Sequence, residues 1–349
     1  MADEEINCWK PAADDIHFGK PTTDEINLMK SKRKELDVKK PMTDDLAGIT
    51  FRTTTAEDYD DVISVRRHLY DGADYIPYRY YELLEHNTGF AGFIDSTMVC
   101  FMFATVIDDG ESILLRSIRV RDEYEGKGVY TRLRAFCMKN LSHTANKAVF
   151  LISSPTHFEQ LCRGSAKLVF SRHTMMFGNT TKSLRGLLGL RDESFLQRVD
   201  SSFLGELLRN RTATQYLFPE NRVLINWIPY QLVPSNIEWM LRGTEVFSNA
   251  VPKQDKIKSE MMISAINVDQ CEAGTVVTLD LFGDVCDEEM ITGHIYIQLQ
   301  KALDRFGDIL VLYIIFQEHQ DTKTVLHVLS KLGWSKVDNY AVYGVEKSI

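Results

Sequence analysis

Clustered positive charge is the first thing this 349-residue chain lacks. Lys and Arg total 40 against 49 Asp and Glu, a formal net charge of −9. Contacts to a phosphate backbone need Lys and Arg gathered on one face, so nucleic acid is not an expected partner. No apolar run approaches the ~20 residues of a membrane helix, and no membrane partner is expected. The acidic N-terminus lacks the apolar core of a signal peptide. Cysteine is scarce: Cys8, Cys100, Cys137, Cys162, Cys271 and Cys286 lie far apart, with no CxxC pair. Most sit inside apolar segments, which suits reduced thiols in a cytoplasmic protein better than a disulfide frame. The nine histidines show neither HxxxH spacing nor a cysteine partner, so no metal is expected.

What is present describes a globular chain, 44% hydrophobic and 26% charged, long enough for two domains. Its first 48 residues repeat. Glu4-Glu5-Ile6, Asp14-Asp15-Ile16, Asp24-Glu25-Ile26 and Asp44-Asp45-Leu46 recur at a spacing of about ten. Lys10-Pro11, Lys20-Pro21 and Lys40-Pro41 punctuate the pattern. One aliphatic per repeat cannot bury a core, and repeated prolines break helices, so a disordered tail is expected over residues 1–47. Two readings of it stay open: a solvated linker, or a multivalent docking tail for a protein partner.

Order is expected from Gly48. "GITFRTT" reads as a strand, and Thr55 caps a helix through "AEDYDDVISVRRHLY". A helix over "IPYRYYELLEH" follows. "FAGFID" and "TMVCFMFATVI" read as strands joined at Asp95-Ser96, with another hairpin turn at Asp108-Asp109-Gly110. Next come the strand "SILLRSIRV", a glycine loop, a helix from about Gly128 to Leu141, the strand "AVFLISS", the helix "THFEQLCRG" and the strand "AKLVFSRHTMM". This order predicts a mixed α/β sheet over residues 48–178. An amphipathic helical connector is expected over 179–220. In residues 221–349 the order restarts with "VLINWIPYQLV" as a strand and "NIEWMLRG" as a helix. It then runs through "TVVTLDLFGDV", "EEMITGHIYIQLQKAL", "DILVLYIIF", "TKTVLHVLSKLGW" and "NYAVYGVEK" as strand, helix, strand, helix, strand. The expectation is a tandem of one fold.

The stretch "EYEGKGVYTRL", residues 123 to 133, poses the functional question. A strand feeding a helix through small residues aims backbone N–H groups at one point, and the helix dipole adds to them. Gly126 and Gly128 let a phosphate oxygen approach the main chain. A lone GxG also occurs as a plain turn, and Glu123 and Glu125 carry the wrong sign. A carboxylate ~4 Å from a phosphate charge would cost about 4 kcal/mol at an effective dielectric of ~20, and about 1 kcal/mol if solvated. Glu125 is therefore expected to face solvent or to pair with Lys127 or Arg121. Arg119, Arg121, Lys127, Arg132 and Arg134 make the segment positive overall.

"IRVRDEYEGKGVYTRL" resembles motif A of the GNAT acetyltransferases, in which a strand leads into Q/R-x-x-G-x-G/A. The resemblance implies acetyl-CoA as co-substrate. The strand backbone at Ile118, Arg119 and Val120 would meet pantetheine, and Gly126, Lys127, Gly128, Val129, Tyr130 and Thr131 would meet pyrophosphate. Glu125 fills the Q/R slot and Tyr130 the last G/A slot, two departures from the motif. In the second half the matching strand exit, "LFGDVCDEEMITGHI", crowds its helix start with Asp284, Asp287, Glu288 and Glu289. Four carboxylates do not make a phosphate cradle. The expected fold is thus tandem GNAT-like domains, the second degenerate and serving as scaffold or substrate wall.

"LYDGADYIPYRY" and "VIDDGESILLRSIRV" are similar to segments of the histidine N-acetyltransferase group. That similarity implies acetyl transfer to the α-amino group of a small amine substrate, L-histidine. An amine attacks a thioester only when neutral, and an α-amino pKa near ~8 leaves much of it protonated at pH 7, so a base is needed. The carboxylate usual on the fourth strand is absent from "SILLRSIRV". Asp74, Glu111 and Asp109 are the nearby candidates, each also a plausible turn or cap residue. The tyrosine acid of the family is missing from "HFEQLCRG", where Cys162 is the candidate and a core thiol the alternative. Arg116 either pairs with Asp74 or holds a substrate carboxylate. Tyr70 and Tyr75 either wall the pocket or pack. The rival readings are another amino acid, a polyamine or a peptide N-terminus as acceptor, or a non-catalytic binding protein acting through its tail.

Overall fold

The computed structural model describes residues 48–67, 69–141, 145–179, 196–250, 261–284, 287–307, 309–317, 320 and 322–349. The repeat tail expected over 1–47 lies outside the described residues. The chain begins with β1 (Thr50–Thr53). The Thr55 hydroxyl accepts the Glu57 N–H, and Asp58 answers on the Thr55 backbone, a capping box that starts the first helical segment. A short 3-10 turn over Ala56–Asp58 leads into α1 (Tyr59–Val65), which stops well before Tyr70 because Arg66 is extended. α2 (Ile76–Leu84) follows, then β2 (Thr88–Ile94) and β3 (Thr97–Ile107). Asp95 and Ser96 form the turn between these strands with φ of 48° and 65°.

β3 is apolar along nearly its whole length because both of its faces are covered. Cys100, Met102 and Ala104 pack toward one helix layer, while Met98, Phe101 and Phe103 pack toward α1 and α2. β4 (Ser112–Val120), α3 (Val129–Leu141), β5 (Lys147–Ile152), α4 (Pro155–Arg163) and β6 (Lys167–Asn179) complete the first half. The first of those helix layers is α3, whose Val129, Leu133 and Cys137 are buried against β3 and β4.

The second half opens with β7 (Gln197–Arg198), α5 (Ser201–Arg209) and α6 (Arg211–Leu217). The described part of 179–220 is therefore interrupted by a strand, where one long amphipathic helix was expected. β8 (Arg222–Ile225) and β9 (Ile228–Gln231) form a separate two-stranded hairpin. "VLINWIPYQLV" was expected to be one strand, but it turns back on itself at Asn226 and Trp227, both at positive φ. Neither residue is glycine, so the usual signature of a tight reversal was missing. α7 (Ile237–Leu241), β10 (Glu245–Ser248) and β11 (Ile263–Cys271) come next, the two strands being additions to the sequence-based element order. β12 (Gly274–Phe282), α8 (Glu288–Phe306), β13 (Ile309–Gln317), α9 (Lys323–Lys331) and β14 (Trp334–Ser348) close the chain as expected.

The expected mixed α/β arrangement forms as one sheet spanning both halves, in the order β1-β2-β3-β4-β5-β14-β6-β13-β12-β11-β10-β7. β14 is the seam. It pairs antiparallel with β5 from Tyr343 to Ser348, and on its other edge with β6 over most of its length. A polar hub reinforces the join. Asp108, buried in the turn before β4, accepts from Ser112 Oγ (2.6 Å), Asn236 Nδ2 (2.8 Å), the Gln231 N–H (2.9 Å) and Arg222 (3.2 Å).

Candidate functional site

Two parallel strand pairs, one in each half, behave differently. β4 and β5 are registered only from Ser112 to Leu114 against Lys147 to Val149. Beyond Leu114 the two strands are no longer registered against each other. In the second half β12 and β13 stay registered from Thr275 to Asp280. The first half therefore opens a wedge in the sheet and the second does not. A bulge sharpens the wedge: Ser117 and Ile118 of β4 together stand opposite the single residue Met102 of β3, and Ser117 sits at φ 57°.

The wedge holds a cavity of about 310 Å³. Arg116, Ser117 and Ile118 of β4, Phe150 to Ile152 of β5, and Ser154 and His157 at the start of α4 form its first-half wall. Tyr70, Ala73 and Tyr75 cover it from the segment before α2. Trp227, Asp269, Thr278, Tyr313 and Tyr340 come from the second half. The Tyr75 hydroxyl accepts from Arg116 Nη2 at 2.9 Å and lies 2.8 Å from Ser117 Oγ. Asp269 receives Arg79 Nη1 at 2.6 Å. Burial and the neighbouring Tyr313 push the Tyr340 phenol up, so it stays protonated.

The glycine loop lies between the exit of β4 and the start of α3. Gly126 and Gly128 have φ of 70° and 80°, a region open to glycine and costly for other residues. A Cβ at Gly128 would meet nothing within 4 Å, so the space before this residue is open to an approaching group. α3 begins at Val129, and the amides of a first helical turn have no intrahelical acceptor. Glu125 pairs with Arg66, a partner not foreseen from sequence, which is extended at the end of α1 and also reaches Asp122 at 2.9 Å. Lys127 lies over the Tyr124 ring and Arg121 donates to the Met98 carbonyl. Tyr130 turns into the core beneath α3 and is 2% exposed, which takes its side chain away from the loop mouth.

The residues expected to do acid–base work do not assemble at the cavity. Asp74 is buried and binds Arg119 through both oxygens at 2.7 and 2.8 Å, while accepting the Ile76 N–H at 3.1 Å. Burial pushes its carboxyl up, with Arg119 and that N–H pulling the other way. The buried arginine paired with Asp74 is thus Arg119, whereas Arg116 had been the expected partner. Glu111 is half exposed at the hairpin, 3.6 Å from Lys147. Cys162 is exposed on α4. Ile118 lines the cavity, whereas Arg119 and Val120 are registered against Phe101 and Cys100 of β3.

Tyr70, Tyr75 and Arg116 all line the cavity. His157, Trp227, Asp269, Tyr313 and Tyr340 do so too and were not singled out from sequence. A signal existed for His157: it stands in the short helix after β5, where a proton-transfer group was sought. None existed for Asp269, because β11 itself was not read as a strand. Among the described residues no helix is long and apolar enough to cross a membrane.

Comparison with known proteins agrees with this architecture. A family model described as "Histidine N-acetyltransferase, C-terminal" matches residues 194–317. Histidine N-acetyltransferase of Oreochromis niloticus is 26% identical over 219 residues, covering 56% of this chain and 63% of the relative. That of Xenopus tropicalis is 23% identical over 224 residues with the same coverage. The matched stretch thus spans under two thirds of these relatives' length. A tandem GNAT protein from the clavulanic acid biosynthesis pathway superposes with a TM-score of 0.53 at 10% identity, over 86% of this chain and 98% of that one. The chain carries the GNAT fold in tandem, and histidine N-acetyltransferases are among its sequence relatives, in keeping with the two quoted segments.

Proposed function

We propose that this tandem GNAT protein is an acetyl-CoA-dependent N-acetyltransferase that acetylates the α-amino group of a small amino acid, L-histidine. The observation that carries the reading is the divergence of β4 from β5 beside the Gly126–Gly128 loop, which opens a cavity holding both a cation and a carboxylate. Acetyl-CoA supplies the acetyl thioester. The glycine loop from Gly126 to Thr131, with the dipole of α3, is assigned to the pyrophosphate, and β4 at Ile118 is assigned to the pantetheine arm.

An amino acid carries both charges, and the cavity offers a partner for each. Arg116 is assigned to the acceptor carboxylate, with Tyr75 holding the guanidinium in place. Asp269, fixed by Arg79, is assigned to the amino group. His157 is assigned as the base, since an imidazole titrates near neutral pH and can relieve an ammonium of its proton. The amine nitrogen then bonds to the acetyl carbon, the carbon–sulfur bond breaks, and the thiolate takes up a proton. Tyr70, Tyr75, Trp227, Tyr313 and Tyr340 line the same cavity and suit a flat side chain.

Calorimetry with acetyl-CoA on wild type and Gly126→Glu, followed by thiol release over a panel of amino acids, tests the reading. Binding lost in the variant together with turnover on histidine supports it. Binding without turnover on any free amino acid moves the acceptor to a peptide amine. No binding leaves a non-catalytic protein.

A further inference from the structure

The turn that joins β8 to β9 is made of residues that resist it. Asn226 has φ 52° and Trp227 has φ 60°. A two-residue reversal of this kind needs left-handed backbone at both positions and ordinarily places glycine at the second. Tryptophan there is strained, and such strain persists only where the surroundings fix it. Here they do. The Asn226 N–H donates to Asp280 Oδ2 at 3.2 Å, and Trp227 Nε1 donates to Thr278 Oγ1 at 3.2 Å. The indole meets the Tyr313 ring edge-on, with centroids 5.7 Å apart.

The turn also stands between two cavities. Trp227 lines the 310 Å³ cavity of the wedge. Ile225, Asn226 and Ile228, its immediate neighbours, line a second cavity of about 60 Å³ that reaches toward Glu82 and Arg242. Both cavities are bounded by Leu114 and Arg116. Arg116 is the residue assigned to the acceptor carboxylate, so the indole stands where a side chain extending from a bound amino acid would either stop or pass.

We propose that Trp227 is the specificity-determining wall of the acceptor site: its indole closes the larger cavity against the smaller, admitting a short or flat side chain and excluding a long one. This rests on the amino-acid reading of the site given above. Truncation of the indole would join the two spaces. Longer uncharged side chains would then find room in the second cavity, where Arg79 already holds Glu82 through both oxygens and Arg242 adds a further positive charge.

Steady-state kinetics on the full chain with histidine, leucine, glutamine and methionine test the inference, using wild type, Trp227→Ala and Trp227→Phe. The expected result for Trp227→Ala is a KM for histidine raised roughly tenfold, with kcat changed much less and kcat/KM for glutamine or methionine raised at least tenfold. Acetyl-CoA affinity should stay within about twofold in both variants, and Trp227→Phe should fall between wild type and alanine. An unchanged acceptor ranking overturns the proposal. So does an equal loss on every acceptor, which would mark Trp227 as a structural support. If the alanine variant does not fold, Thr278→Val, which removes the indole's hydrogen-bond acceptor, must shift the same ranking. A wild type active on no amino acid defeats the functional reading and this inference with it. A wild type active on histidine whose ranking resists all three variants defeats this inference alone.

Discussion

Arg66 binds Glu125, the glutamate that opens the glycine loop. The two residues lie 59 positions apart in the chain, and Arg66 also reaches Asp122 at 2.9 Å. The glycine loop proposed to hold the pyrophosphate thus accommodates Glu125 through the early end of α1, which leaves Arg66 extended. Removal of the arginine, as in Arg66→Ala, should weaken acetyl-CoA binding about tenfold. That corresponds to roughly 1.4 kcal/mol, between the solvated and half-buried limits for a nearby carboxylate. Arg66→Ala combined with Glu125→Gln should recover most of the loss. Calorimetry on the double-mutant cycle measures the coupling, and additive losses would show that Arg66 acts elsewhere.

Asp74 and Arg119 predict a stability effect. Arg119 is 2% exposed and its guanidinium depends on Asp74. Asp74→Ala should destabilise the fold by about 3–5 kcal/mol, because an uncompensated charge remains buried. Asp74→Asn, which keeps an oxygen for Arg119 and for the Ile76 N–H, should cost distinctly less. Denaturant midpoints at constant slope decide the matter.

His157 predicts a rate effect. His157→Ala should lower kcat by roughly a hundredfold or more while leaving acetyl-CoA binding near wild type. A parallel loss of cofactor binding would point to a packing role.

His294 predicts a pH effect on stability. It is fully buried in α8, its Nδ1 sits 2.8 Å from Ser264 Oγ, and burial holds its pKa down to about 3. Below the ordinary histidine value the unfolded chain takes up a proton that the folded chain refuses, so this contribution is lost as pH falls from about 6.5 toward 3. Between pH 7 and pH 5 the loss should be about 2 kcal/mol. Asp280 works in the opposite direction, since burial raises its carboxyl to about 8 and its contribution falls as pH rises from about 4 to 8. Comparing wild type with His294→Gln cancels Asp280 and isolates the histidine slope. Equal slopes in the two proteins would show that the imidazole is hydrated in the native state.

Much of the first half was legible because its signals are local. Period-two strands, the Thr55 cap and the Asp95-Ser96 turn each announce themselves within a few residues, and Gly126 and Gly128 mark a loop that only glycine fits easily. The cavity was legible only on the side that β4 and the segment before α2 supply. Its other side comes from a turn without glycine at Asn226-Trp227, from β11, and from strands brought in by long-range pairing, none of which leaves a local trace. The partners of the charged residues were the least accessible. Whether Arg116 or Arg119 meets Asp74 depends on a bulge at Ser117, which shifts the phase of β4 by one residue.

The place of β14 has a consequence for how the protein is made. One edge of β5 waits for Tyr343 to Ser348, roughly 190 residues further along the chain. At typical synthesis rates of ~5–20 residues per second that wait is about 10–40 s. Throughout it the nascent first half presents a bare strand edge beside the opening that will become its cavity, the kind of edge on which other chains template. The first half therefore keeps that edge uncovered until β14 has been made, and a fault that removed β14 would disturb the first half as well as the second.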